Sequence, residues 1–210
     1  MARPNRLFQL IDDENWDGNN FTDWDGNSFP YMVENVIEST PYFAEGFHQA
    51  GQAVVARLRE MEAWPDYEAL PVVFLYRHAV ELALKGIVWN GDEIAGRLGK
   101  PLSGSGGPQK GEHRLGPILK HVDHVQSVFV LHWLNEKITW DQTKDVINDL
   151  DAVDPGSFAF RYPMKRNGAP SQSAEFGFNV YEFATMLDPV LDGLRDWAYE
   201  LEDHRSKSSS

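Results

Sequence analysis

Apolar residues recur at three- and four-residue steps over three long stretches of the chain. Phe43, Phe47, Ala50, Val54, Leu58 and Met61 mark the first. That spacing lines one face of a helix with 3.6 residues per turn. Thr40 suits a cap, Pro41 suits the first helical position, and Trp64-Pro65-Asp66 supplies a stop, which predicts a helix over 41–62. The second stretch, 71–89, is apolar almost all round, the mark of a buried helix. Asn90-Gly91 is the stop it offers. The third covers 180–203, capped by Asn179 with Glu182 three residues on, and Pro189 should bend it. Between the second and third, Thr139 and Gln142 make a capping box ahead of Val146, Ile147 and Leu150. Helical character after His113 is interrupted by Gly116-Pro117, so a short turn and then a longer piece toward Leu134 are expected. No run alternates as a strand would. The pattern predicts an all-α chain: an antiparallel up-and-down helical bundle with an irregular acidic N-terminal arm.

Organisation follows from the same reading. Residues 1–39 form the arm, which repeats Asn15-Trp16-Asp17-Gly18 as Asp23-Trp24-Asp25-Gly26. Asp-Gly between bulky residues is turn chemistry. Residues 40–204 carry the bundle, 96–112 read as a flexible insertion by their Gly, Ser and Pro content, and 205–210 as a disordered tail.

Composition changes this picture in only a few respects. With no cysteine in 210 residues, disulfides, thiolate metal sites and cysteine nucleophiles drop out together. Nineteen basic residues against thirty-two acidic ones give a net charge of −13, which on average repels phosphate backbones and anionic membranes. No apolar window is long enough for a membrane span, and Leu7–Ile11 is too short for a signal sequence, so the expected location is the cytoplasm. Without an export signal the sequon at Asn20 carries no meaning.

Candidate chemistry sits on the second helix and in two loops. Arg77, Glu81 and Lys85 lie at i, i+4 and i+8 and form one polar stripe on a helix that is otherwise apolar. The stripe is either a narrow solvent face or a buried network. Arg161, between Phe160 and Tyr162-Pro163, suits a carboxylate or a phosphate, or simply stacks on its neighbours. Glu81 is the expected ion partner of Arg161. His113 opens a helix and can be a cap or a base. His121-Val-Asp-His124, with His132 beyond it, has metal-compatible spacing but completes no zinc signature. Asp23, Asp25, Asn27 and Glu34 fall in a calcium-loop register, but Ser28 stands where that loop needs Gly. No metal and no cofactor is expected. There is no phosphate loop, dinucleotide fingerprint or nucleophile elbow.

Three pieces in order, Phe74-Leu-Tyr-Arg77-His78-Ala-Val-Glu81-Leu-Ala-Leu-Lys85, then His113-Arg-Leu-Gly-Pro-Ile118-Leu119, then Phe160-Arg161-Tyr162-Pro163, resemble the HEPN-like helical domains. The resemblance spans roughly 40–204. It implies a helical bundle that often dimerises, and RNA or a nucleotide as ligand. Many members are metal-independent endoribonucleases of toxin–antitoxin or phage-defence systems; others are noncatalytic binding modules. Catalytic members carry an Arg, four to six residues and a His. Arg161 stands at the Arg position here, but no His occurs in the seven residues that follow it, while Arg114 and His121 match in spacing across Gly116-Pro117. The expectation is therefore a noncatalytic nucleotide- or RNA-binding or interaction module. The alternatives are an endoribonuclease using His113 and Arg161, with Arg77, Glu81 and Lys85 as the polar cluster beside them, and a scaffold in which that cluster is a buried salt-bridge network.

Overall fold

Five helices make up the regular structure of the computed structural model, which describes residues 36–61, 69–99, 102, 112–165, 167–171 and 177–208. They are α1 (Val36–Glu60), α2 (Ala69–Arg97), α3 (Leu115–Phe129), α4 (Trp140–Val153) and α5 (Val180–Ser208). Among the described residues there is no strand, only an isolated bridge between Met164 and Pro170. The chain is all-α. The Asp-Gly repeat, the sequon, the calcium-type spacing and most of the Gly-rich insertion lie outside the described residues.

The helix ends differ from expectation for local reasons. α1 begins at Val36, so Pro41 lies inside it rather than at its start. Proline withholds one backbone N–H there. Its ring faces Gly86 of α2, where a Cβ would lie 3.4 Å from Pro41 Cγ; the missing side chain lets α1 and α2 approach closely. α2 passes through Asn90-Gly91 and continues to Arg97. Asn90 donates its side-chain amide to the Gly86 carbonyl of its own helix, at 2.9 Å, and is buried. Gly91 is a contact point: a Cβ there would lie 2.6 Å from Val125 of α3. α3 is not broken by Gly116-Pro117. Pro117 falls in its first turn, where an N–H has no intrahelical partner in any case. The first two N–H groups, of Leu115 and Gly116, donate to the Asp151 carboxylate of α4 at 2.7 and 3.3 Å. Residues 205–208 are helical, and the Arg205 guanidinium donates to Asn90 Oδ1 and Glu93. The capping box at Thr139 and Gln142 is formed, and Asn179 Oδ1 accepts the Tyr181 and Glu182 N–H groups.

α2 is the central helix. It packs on α1, α5 and α3, which is why it is apolar nearly all round. Tyr76, Val80, Leu84 and Ile87 from α2 meet Ile118 and Val122 of α3 and Leu187, Leu194 and Trp197 of α5 in one core. Each large side chain buried there stabilises the fold by about 1.5–3 kcal/mol relative to exposure. The touching pairs give the helix senses. Pro41–Gly86 and Gly51–Tyr76 set α1 against α2. Arg77–His113 and Gly91–Val125 set α3 alongside α2 in the same sense, and Tyr76–Asp188 with Asn90–Arg205 do so for α5, so the helices do not alternate in the antiparallel up-and-down order expected from the sequence. At the far side Trp133, Trp140 and Trp197 pack together with ring centroids 4.5–5.2 Å apart.

Candidate functional site

The polar stripe of α2 is buried. Arg77 is 0% exposed, Glu81 2% and Lys85 8%. A charge costs several kcal/mol to bury unless it is paired and hydrogen-bonded, and here the pairing is complete. Arg77 Nη1 donates to Glu81 Oε2 at 2.8 Å, Nε to the Asp154 carbonyl at 2.8 Å, and Nη2 to the His113 carbonyl. Glu81 Oε1 accepts from Lys85 Nζ at 2.7 Å and from His113 Nδ1 at 2.9 Å. A carboxylate only accepts, so His113 donates through Nδ1–H, and in the neutral ring Nε2 is the acceptor. Unlike the other three, His113 has an exposed ring.

Arg161 is not part of this cluster. The expected Glu81–Arg161 ion pair is absent: both Glu81 oxygens are taken by the three groups just named. Arg161 is exposed, its Nε donates to the Ser157 carbonyl, and its guanidinium carbon lies 5.5 Å from the Phe74 ring centre and 5.7 Å from that of Tyr162.

The tie between the two runs through Asp154, a residue the sequence did not point to. Asp154 ends α4, is 2% exposed, and accepts the Phe158 and Ala159 N–H groups on Oδ1 at 2.8 and 3.0 Å. Its carbonyl is held by Arg77 Nε. Arg77 therefore fixes Asp154, Asp154 fixes the turn, and the turn presents Arg161. Ser157, within that turn, sits at φ 52°, a left-handed conformation kept in place by these bonds.

His78, next to Arg77 but off the i, i+4 stripe, is a further polar residue of α2. Its ring lies nearly parallel to Phe74, with centroids 5.5 Å apart, and edge-on to Phe47 at 4.5 Å. Burial pushes its pKa down; Glu81 opposes this, while Arg161, Arg77 and Lys85 add to it.

A second polar cluster joins α1, α2 and α5. Asp188 Oδ1 accepts from His48 Nε2 at 2.8 Å, Tyr76 Oη at 2.8 Å and Gln52 Nε2 at 3.1 Å. Burial raises the Asp188 pKa, but these three bonds outweigh it and hold the carboxyl below its usual range. Tyr76 is pushed far up, by burial first and then by Asp188. Nothing in the local sequence announces this cluster, because Asp188 lies 112 to 140 residues from its three donors.

Of the residues with metal-compatible spacing, Asp123 accepts from Trp140 Nε1 at 3.0 Å and His132 pairs with Glu200. Among the described residues no three His, Cys, Asp or Glu are grouped to hold a metal, and no helix is long and apolar enough to cross a membrane.

The shifted groups give acid sensitivity a definite sign. For Glu81, burial pushes the pKa up, but the bonds from Lys85, His113 and Arg77 together hold it below its ordinary value. A lowered carboxylate pKa stabilises the fold above the unfolded value of 4.5 and loses that contribution as pH falls through the folded value. His78 acts in the same direction from a higher pH. Its lowered pKa means that below 6.5 the unfolded chain takes the proton more readily. Tm is expected to fall in two steps on acidification, one beginning near pH 6.5 and one below 4.5. In a Tm–pH series, His78→Gln should remove the upper step and leave the lower one.

No protein-family model matches the chain, and no curated protein or solved structure matches it either.

Proposed function

We propose that this chain is a noncatalytic HEPN-like helical module of the cytoplasm, a binding or interaction protein directed at RNA or a nucleotide, of the kind found in bacterial defence and toxin–antitoxin systems. One observation carries this. The cluster beside the two groups a catalytic reading would use is committed to structure: Arg77 is sealed, each of its three nitrogens donates a bond, and both Glu81 oxygens are occupied. Cleavage of RNA at a 2′-hydroxyl needs a proton acceptor and a charge stabiliser on one phosphate. Arg161 is held by Ser157, Phe74 and Tyr162, and His113 by Glu81, so each is anchored to different neighbours.

A second reading has its own support. His113 is oriented by Glu81 with Nε2 turned away from that bond, and its ring is exposed, which is the arrangement of a general base. That favours the metal-independent endoribonuclease as the alternative.

Incubating the full chain with labelled single-stranded and structured RNA in EDTA tests both. The expected result is that RNA stays intact and that RNA or a labelled nucleotide is retained, less so as salt rises. Cleavage lost in both His113→Ala and Arg161→Ala would establish the nuclease instead. Neither cleavage nor retention of RNA or of a labelled nucleotide would leave a scaffold and overturn the proposal.

A further inference from the structure

The Arg161 guanidinium has more donors than the protein uses. Nε is spent on the Ser157 carbonyl, and among the described residues neither Nη1 nor Nη2 meets a carboxylate or a carbonyl. A guanidinium held over aromatic rings is already placed, so less rotamer freedom is lost when its fork closes on an acceptor. Phe74 and Tyr162 hold it in this way, and the turn that carries it is fixed from below through Asp154 and Arg77.

His78 lies against the same Phe74 ring and makes no hydrogen bond through either ring nitrogen among the described residues. A neutral imidazole offers one donor and one acceptor. The charges acting on it are Glu81 against Arg161, Arg77 and Lys85, a local surplus of positive charge on a chain of net −13. Beside these polar groups lies flat apolar surface: Phe47 and Phe74 are half-buried, and Tyr162 is 50% exposed.

We propose that Arg161 and His78, on the bed formed by Phe74, Phe47 and Tyr162, bind a compact oxyanion carried on a flat apolar group, an aryl phosphate or an aromatic carboxylate. The Nη fork takes two oxygens of the anion side by side, the His78 N–H donates to one of these or, in a phosphate, to the third, and the flat group lies against the exposed part of Tyr162, whose ring already packs on Phe158 and carries the guanidinium. A small anion suits the chain's charge better than a long one, because the field of thirteen excess negative charges acts on every phosphate of a polymer. The assignment rests on the noncatalytic binding role proposed above and names its contact surface.

The test is calorimetric titration of the full chain at low ionic strength with phenyl phosphate, benzoate and inorganic phosphate. At least one of the two aromatic anions is expected to bind more tightly than inorganic phosphate, and the tighter one identifies the oxyanion. Arg161→Ala should weaken that binding about tenfold or more, with Arg161→Lys between it and the parent. Tyr162→Leu should bring the aromatic anion down toward inorganic phosphate. All three changes are at exposed positions, so an unchanged Tm will show that the fold is intact. Failure of both aromatic anions at millimolar concentration, binding no tighter than that of inorganic phosphate, or binding that survives Arg161→Ala would each overturn the site. Retention of RNA alongside any of these failures would leave the proposed function standing without this surface.

Discussion

Replacing Arg77 by Met is expected to cost about 3–5 kcal/mol of stability, because it removes one member of a buried charge network and strands the rest. Glu81 would keep Lys85 and His113 but lose its innermost cation, and the Asp154 and His113 carbonyls would lose their donor. For a chain of this length a loss of that size lowers Tm by roughly 10 °C. Urea denaturation should show the midpoint moving with little change of slope. A network of this kind stands or falls as a unit. Arg77→Met combined with Glu81→Leu should therefore lose less than the two single losses added together. Equal loss in the double variant and the summed singles would mean that the two residues act independently.

The second large effect is expected on the opposite side of the core. Trp197 is 1% exposed and touches both Trp133 and Trp140, and Gly193, one turn before it, has no room for a side chain beneath the Trp133 ring. Trp197→Ala should cost about 3–5 kcal/mol, the lost transfer energy together with the cavity left behind. Trp197→Phe keeps a ring between the two neighbours and should cost less than half as much. Near-ultraviolet circular dichroism, which senses the packing of the three indoles, should change strongly in the first variant and modestly in the second.

What could be read from the sequence divides along the range of the interactions. The helices of Phe43–Leu58 and Val180–Leu201 were visible because burial imposes their period on neighbours three and four residues apart. The Thr139–Gln142 box was visible because it closes on itself within one turn. So was the Arg77–Glu81–Lys85 ladder, since each pair is an i,i+4 contact. Asn90-Gly91 misled because its two residues do jobs a stop signal does not require. The Asn side chain satisfies its own helix, and the Gly admits Val125. Gly116-Pro117 misled because position in a helix matters more to proline than presence. The partner of Arg161 is not legible, since sequence spacing cannot choose between Glu81 and the rings of Phe74 and Tyr162. Asp154 and Asp188 carried no local signal at all, because each works on groups that only the packed helices bring to it.

That α2 and α3 run in the same sense has a consequence for chain length. Between Arg97 and His113, which meets Arg77, the chain has to cover the rise of α2 from Arg77 to Arg97, about 30 Å at 1.5 Å per residue. At about 3.3 Å per extended residue, that return takes at least about nine residues, roughly half of the segment 98–114. Leu102 is buried against the core, so the residues that can be given up lie beyond it. In the other direction the limit is weak, because each doubling of a connection's length adds only about 0.6 kcal/mol of closure entropy. The segment between Leu102 and Glu112 is thus bounded below by the length of a helix and nearly unbounded above. An epitope, a fluorophore or a whole inserted domain placed there would leave the register of the five helices unchanged.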